Sequence, residues 1–154
     1  NTRLLDTRKT IPGMRHAQKY AVFCGGGLNH RQGLFDAFLI KENHIAASGS
    51  IAKAIRAARA INPDILLEIE VENLEEFREA LECKPDRIML DNFNLKDIEA
   101  AVAIRKEKKC ELEVSGGLGF NALAEIAKLG VEYVSVGELT KSIQAIDLSL
   151  LIRG

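Results

Sequence analysis

The sequence predicts an α/β fold: a parallel sheet rolled into an incomplete seven-stranded α/β barrel, with helices packed outside it. Two observations lead there. Short apolar strands alternate with amphipathic helical segments, which requires parallel strands joined by crossover helices. Polar and glycine residues then recur at the carboxyl ends of successive strands: Asp6-Thr7-Arg8-Lys9, Lys41, Glu70, Asp91, Ser115-Gly116-Gly117 and Gly137. An open doubly wound sheet satisfies the alternation too, but binds at a single crevice. Six strand ends sharing one rim fit the mouth of a TIM-barrel-like fold better. With seven strands and not eight, closure is expected to be incomplete.

Each element has its own signal. Leu4-Leu5 and Phe38-Leu39-Ile40 read as short strands flanking a helix around residues 14–23. Ile51, Ala54, Ile55, Ala58 and Ile61 keep the helical spacing of one buried face, and residues 65–71 follow as a strand. Asn73 is a candidate N-cap with Glu76 three residues on, before a stripe of Leu74, Phe77, Ala80 and Leu81. Residues 87–90 form a strand, and Leu95, Ile98 and Val102 mark a helix. Residues 111–114 are a strand; Asn121 is placed to cap a helix with Leu123, Ile126 and Ala127 inward, closed by Gly130. Residues 133–136 and 148–151 complete the expected strands.

Composition bounds the function. At 154 residues and 47% hydrophobic, the chain is one domain with one core. A net charge of −1 with six Phe, two Tyr and no Trp argues against a nucleic-acid binder. No apolar run is long enough to span a membrane, so no membrane partner is expected and a cytoplasmic location is. Cys24, Cys83 and Cys110 lack a CxxC pair and are expected to be buried reduced thiols. The chain begins at Asn1 and reaches its most functional-looking string within eight residues, so an upstream domain is expected to precede it.

Charge is distributed unevenly. The first 44 residues hold seven Lys and Arg against three acidic residues, with all three histidines; the rest holds fourteen against nineteen. Cations gathered beside Gly13, Gly25-Gly26-Gly27 and Gly33 suit a small, multiply anionic ligand approached closely by backbone. Arg8 and Arg31 suit a bidentate grip on carboxylate or phosphate, and Lys9 and Lys41 act as point charges. His30 and His44 belong to the same strings, whereas Arg3, Arg15, His16 and Lys19 read as helix-surface decoration, and residues 105–109 as a solvated helix end.

Glu68, Glu70 and Glu72 alternate along one strand, so all three face one way. In a barrel that face is the lumen, where a carboxylate is functional or costly; the bland alternative is a solvated strand end. Glu70 and Asp91, on adjacent strand ends, could hold ribose hydroxyls or a divalent metal that retains water. Ser115-Gly116-Gly117-Leu118-Gly119 and Gly137 are each simple turn glycines when taken alone, but at adjacent rim positions they suggest a monophosphate site. No Ser–His–Asp or Cys–His arrangement is visible, so no protein nucleophile is expected.

Three strings, residues 6–15, 19–31 and 39–44, resemble the quinolinate phosphoribosyltransferase family. So do residues 68–72, Met89-Leu90-Asp91-Asn92, residues 113–117 and residues 136–140. The resemblance covers essentially the whole chain and points to that family's C-terminal barrel as residues 1–154, without its N-terminal sandwich domain. It implies transfer of phosphoribosyl from phosphoribosyl pyrophosphate to quinolinate with Mg2+, giving nicotinate mononucleotide, pyrophosphate and carbon dioxide in NAD biosynthesis. It also implies roles. Arg8, Arg31, Lys41 and His44 would hold the quinolinate carboxylates. Lys9 and His30 would face pyrophosphate, and Glu70 and Asp91 the ribose hydroxyls and metal. Ser115, Gly116, Gly117 and Gly137 would bind the 5′-phosphate.

Lys9, Lys41, Glu70 and Asp91 are the expected catalytic set. In the family a further arginine comes from the sandwich domain of a neighbouring subunit, so a homodimer or larger homo-oligomer is expected and this chain alone should be inactive. The alternatives are a related phosphoribosyltransferase acting on a monocarboxylate such as nicotinate, and a non-catalytic phosphate-binding fragment.

Overall fold

A computed structural model describes residues 2–105, 109–117 and 120–154. Its strands are β1 (Arg3–Leu5), β2 (Phe38–Ile40), β3 (Leu67–Val71), β4 (Arg87–Asp91), β5 (Glu111–Ser115) and β6 (Tyr133–Ser135). Its helices are α1 (Arg15–Cys24), α2 (Glu42–Ser48), α3 (Ile51–Ile61), α4 (Leu74–Glu82), α5 (Leu95–Arg105), α6 (Phe120–Ile126) and α7 (Glu138–Lys141). The strands form one six-stranded sheet in the order β1-β6-β5-β4-β3-β2, with every paired neighbour parallel. Consecutive strands are therefore neighbours except β1 and β2, which lie at the two ends of this order. Beside β1, Leu28 makes an isolated parallel bridge to Leu5.

The period of two sorts the strand side chains. Leu67, Ile69, Val71, Ile88, Leu90, Leu112, Val114 and Val134 join the buried apolar core. The helices supply its other side: Ile51, Ala54, Ile55 and Ala58 from α3, Phe77, Ala80 and Leu81 from α4, and Ile98 and Ala101 from α5. The opposite face of the sheet carries Glu68, Glu70, Arg87, Met89, Asp91, Glu111, Glu113, Ser115, Tyr133 and Ser135. Asn73 caps α4 through Oδ1, which accepts from Glu75 N (3.0 Å) and Glu76 N (2.9 Å). The expected reciprocal bond moves back one residue, with Glu76 accepting from Glu72 N.

Several expectations fail. Residues 148–151 are not a strand; they lie in irregular chain, with Leu148 and Leu150 exposed, because no neighbouring edge is there to pair with them. Ile61 is exposed at the end of α3, and Ala127 lies beyond α6 and is also exposed. Helix α2, directly after Ile40, was not expected from the sequence. All three cysteines are free, but only Cys110 is buried, Cys83 being half-buried and Cys24 exposed. The proposed cap Asn121 lies within α6, which begins at Phe120, and not before it. Leu118 and Gly119 of the glycine string and residues 106–108 lie outside what is described. No helix among the described residues is long and apolar enough to cross a membrane.

Candidate active site

Parallel strands bring their carboxyl ends to one rim, and the polar face of the sheet meets the loops there. A cavity of about 380 Å³ is lined by Thr7, Arg8, Lys9, His30, Arg31, Leu39, Lys41, Glu70, Met89, Asp91, Ser115 and Ser135. An adjoining hollow of about 240 Å³ takes in Ser115, Gly116, Gly117 and Gly137, together with Thr7, Lys9, Asp91 and Lys141. Lys41 and Glu70 form an ion pair on the cavity wall. Burial lowers the proton affinity of Arg31, and the Arg8 charge lowers it further, so two like charges share the mouth.

The hollow is shaped by glycine. Gly116 has φ +125°, and a Cβ there would sit 2.5 Å from Asn92 Oδ1 and 3.1 Å from the Asn92 backbone. A Cβ on Gly137 would stand in van der Waals contact with Lys9 Cδ at 3.4 Å. Backbone thus approaches the hollow where side chains would fill it, as an anion cradle requires.

The cationic loops are tied down from behind. Arg15 donates to Thr10 Oγ1 (3.2 Å), Gln32 O (3.2 Å) and Arg8 O (3.1 Å), joining two loops. Gln18 accepts from Ile11 N (2.9 Å) and donates to Thr140 O (3.0 Å), while Thr140 Oγ1 donates to Lys9 O (2.7 Å). Lys19 is only 2% exposed and pairs with Asp6. The reading of Arg15 and Lys19 as surface decoration is therefore corrected: α1 turns its Arg15, Gln18 and Lys19 inward, toward the sheet edge. His16 is exposed on α1 as expected, whereas Arg3 is exposed on strand β1 and not on a helix.

Below the cavity floor, Glu68 and Glu113 are both 0% exposed. Arg87 donates to Glu113 Oε2 (3.2 Å) and to Glu111 Oε2 (3.0 Å), and stacks over the Tyr133 ring at 3.9 Å. His30 Nε2 lies 2.9 Å from Glu68 Oε2 and 3.5 Å from Glu113 Oε2, in line with neither for a directed hydrogen bond. His30 Nδ1 accepts from Arg31 N at 2.7 Å. Nδ1 therefore keeps its lone pair, and Nε2 bears the hydrogen of the neutral ring.

Burial keeps His30 below its ordinary pKa. Burial also pushes Glu68 up to about 7, and burial with the Glu68 charge pushes Glu113 up to about 8. By distance, His30, Glu68 and Glu113 could hold a metal ion, their donor atoms lying within 4.8 Å of one another. The guanidinium already on Glu113 and the hydrogen on Nε2 favour a shared proton there instead.

Of the expected residues, the structure gathers Arg8, Lys9, His30, Arg31, Lys41, Glu70, Asp91 and Ser115 at one cavity, with Gly116, Gly117 and Gly137 beside it. His44 is exposed and outside the lining; its Nδ1 accepts from Lys41 N (3.0 Å) at the start of α2. Glu113, Arg87 and Lys141 escaped the sequence reading, and Asp6 was placed at the rim without a role. The alternation of Glu111-Leu112-Glu113-Val114-Ser115 was a usable signal for Glu113, identical in kind to that of residues 68–72. Lys19 carries no such signal, since its partner lies thirteen residues away across a loop.

The profile of the quinolinate phosphoribosyl transferase C-terminal domain matches residues 1–151. The nicotinate-nucleotide pyrophosphorylase [carboxylating] of Mycobacterium leprae is 47% identical over 150 residues, which cover 96% of this chain and 53% of that protein. A solved structure of the nicotinate-nucleotide pyrophosphorylase from Francisella tularensis superposes with a TM-score of 0.92 at 57% identity, covering 96% of this chain and 52% of that one. A thiamine phosphate pyrophosphorylase from Pyrococcus furiosus, 16% identical with a TM-score of 0.58, shares the fold alone. The chain spans about half the length of the curated relatives it matches. On this profile, together with the cationic cavity and its glycine hollow, the chain belongs to the family of quinolinate phosphoribosyl transferase C-terminal domains.

Proposed function

We propose that the complete protein transfers phosphoribosyl from phosphoribosyl pyrophosphate to quinolinate and releases pyrophosphate and carbon dioxide, forming nicotinate mononucleotide for NAD synthesis. The observation that carries this reading is one cavity with Arg8, Arg31, Lys9 and Lys41 facing Glu70 and Asp91, opening onto the glycine hollow. In this reading the sheet curls into an open barrel whose gap lies between β1 and β2, with Leu28 paired to Leu5 on the β1 side. Arg8, Arg31 and Lys41 hold the two quinolinate carboxylates, whose paired negative charge a monocarboxylate lacks. Ser115, Gly116, Gly117 and Gly137 cradle the 5′-phosphate, with Lys141 adding a cation.

The chemistry needs charge and position, not a covalent intermediate. As pyrophosphate leaves the anomeric carbon, oxocarbenium character develops; Glu70 and Asp91 stabilise it while Lys9 takes up the leaving charge. When the adjacent carboxylate departs as carbon dioxide, the carbon–carbon bonding pair stays on the ring carbon, where the neighbouring pyridinium nitrogen stabilises it until that carbon takes a proton from water. His30 lines the same wall, but its nitrogens face protein groups, so its part is to support the Arg31 backbone and not to grip pyrophosphate.

Glu70 and Asp91 fit Mg2+, being hard oxygen donors on the cavity wall, and a bound ion would neutralise pyrophosphate oxygens there. The His30, Glu68 and Glu113 set, with a nitrogen donor and Arg87 at its edge, does not fit it. The apolar exposed face around α1 suits cover by the remainder of the protein and by a second subunit, making a homodimer in the cytoplasm.

Formation of nicotinate mononucleotide by the complete protein, with quinolinate and nicotinate in competition, tests this reading. Strong preference for quinolinate is expected, because nicotinate leaves desolvated cations unpaired. Equal turnover of the two acids would move the assignment to the monocarboxylate enzyme.

A further inference from the structure

Resting on that functional reading, we propose that Asp6 is a positioning residue that holds the two cationic arms of the mouth, residues 7–9 and 29–31, in register with each other. Asp6 follows β1 directly and is 0% exposed. Its backbone N–H donates to Leu28 O at 3.2 Å. Its carboxylate collects three donors from two other segments: Lys19 Nζ of α1, Asn29 Nδ2 at 2.6 Å and His30 N at 2.9 Å. Asn29 Nδ2 also donates to Lys19 O at 2.8 Å. One side chain thus joins the end of β1, helix α1 and the loop that carries His30 and Arg31.

The place matters as much as the bonds. Elsewhere the strands fix their carboxyl ends by continuous ladders; among the described residues no ladder joins β1 to β2, and the free side of β1 has only the bridge of Leu5 with Leu28. Arg8 follows β1 and Arg31 follows the bridged Leu28, and the Arg8 charge lowers the proton affinity of Arg31. Repulsion between the two guanidinium groups favours separation of the arms, and the fixed, acceptor-only carboxylate beneath them opposes it. Lys19 balances the buried charge but ties neither arm to the other. An ion pair buried this deeply adds little net stability over an apolar pair. The geometry it imposes on the arms is what distinguishes it from such a pair.

Three variants of the complete protein separate positioning from stability: Lys19→Met, Asp6→Asn, and the two combined. Unfolding midpoints, calorimetric affinities for quinolinate and inorganic pyrophosphate, and amide exchange at His30 are the readouts. Lys19→Met leaves a buried charge unpaired but keeps both tethers, so its midpoint falls while affinity and His30 protection stay. Asp6→Asn loses both stability and affinity. The double variant leaves no unpaired charge, so its midpoint recovers, yet one amide oxygen now serves two donors. Its affinity for both anions should fall by about tenfold or more, a cost consistent with misplacement below 1 Å, and its His30 amide should exchange faster.

Affinity that tracks the midpoint through the series, or a double variant that binds and protects like the wild type, would overturn the proposal. A wild type whose His30 amide responds as expected but which binds neither anion would instead overturn the functional reading.

Discussion

Replacing Glu113 by Gln should stabilise the fold, by an amount that grows with pH. Glu113 is fully buried, between Arg87 on one side and Glu68 and His30 on the other. Burial and the Glu68 charge raise its pKa from 4.5 to about 8. A carboxyl whose folded pKa lies above its unfolded value takes up a proton on folding. Its contribution is fully present below pH 4.5 and is lost as pH rises through 8. Each unit of that window costs about 1.4 kcal/mol, so about 3 kcal/mol is lost by pH 7 and about 4–5 by pH 8.

Glutamine cannot ionise. Its oxygen can still accept from Arg87, and its N–H can donate toward Glu68, as the protonated acid does. The variant should therefore match the wild type near pH 4.5 and exceed it by about 3 kcal/mol at pH 7, a large share of a typical domain's 5–15 kcal/mol. Urea titrations at half-unit pH steps, extrapolated linearly, measure the difference. Parallel curves from pH 5 to 8, or a variant less stable throughout, would show that Arg87 keeps Glu113 ionised and that the shared-proton account is wrong.

Arg31→Ala should cost about 2–5 kcal/mol in quinolinate affinity by calorimetry. It should barely change the unfolding midpoint, because among the described residues the side chain's one hydrogen bond is a 3.3 Å contact to Ala37 O. Gly116→Ala should lose phosphate binding and about 1–3 kcal/mol of stability, since φ +125° strains any side chain and its Cβ would meet Asn92; unchanged phosphate affinity would remove the hollow from the site. The chain on its own should form no nicotinate mononucleotide and should self-associate in sedimentation, because Tyr20, Phe23, Leu34, Phe35, Ile146, Leu148 and Leu150 are exposed. Full turnover by a monomer of these 154 residues would refute that.

Much of this protein is local, and what is local was legible in the sequence. Alternation in residues 68–72 and the stripes of α3 and α4 assign side chains to faces without knowledge of what lies across from them, because a strand repeats every two residues and a helix every 3.6. Polar residues at strand ends named most of the cavity for the same reason, since parallel strands must end on one side. Which faces meet was not local. Arg15 and Lys19 look like any helix-surface cations until α1 lies over the gap beside β1, where their partners are loop carbonyls and Asp6. Residues 148–151 have a strand's pattern, but pairing needs a free edge and none meets them.

His44 shares a string with Lys41, yet the turn into α2 directs it to the Lys41 backbone and away from the cavity. Glu113 and Arg87 were not singled out in the sequence, and only the register of β3, β4 and β5 brings them together beneath His30. Sequence periodicity determined what each segment could bury. The tertiary structure decided which charges were buried together, because the cost of a buried charge depends on partners that lie far away along the chain.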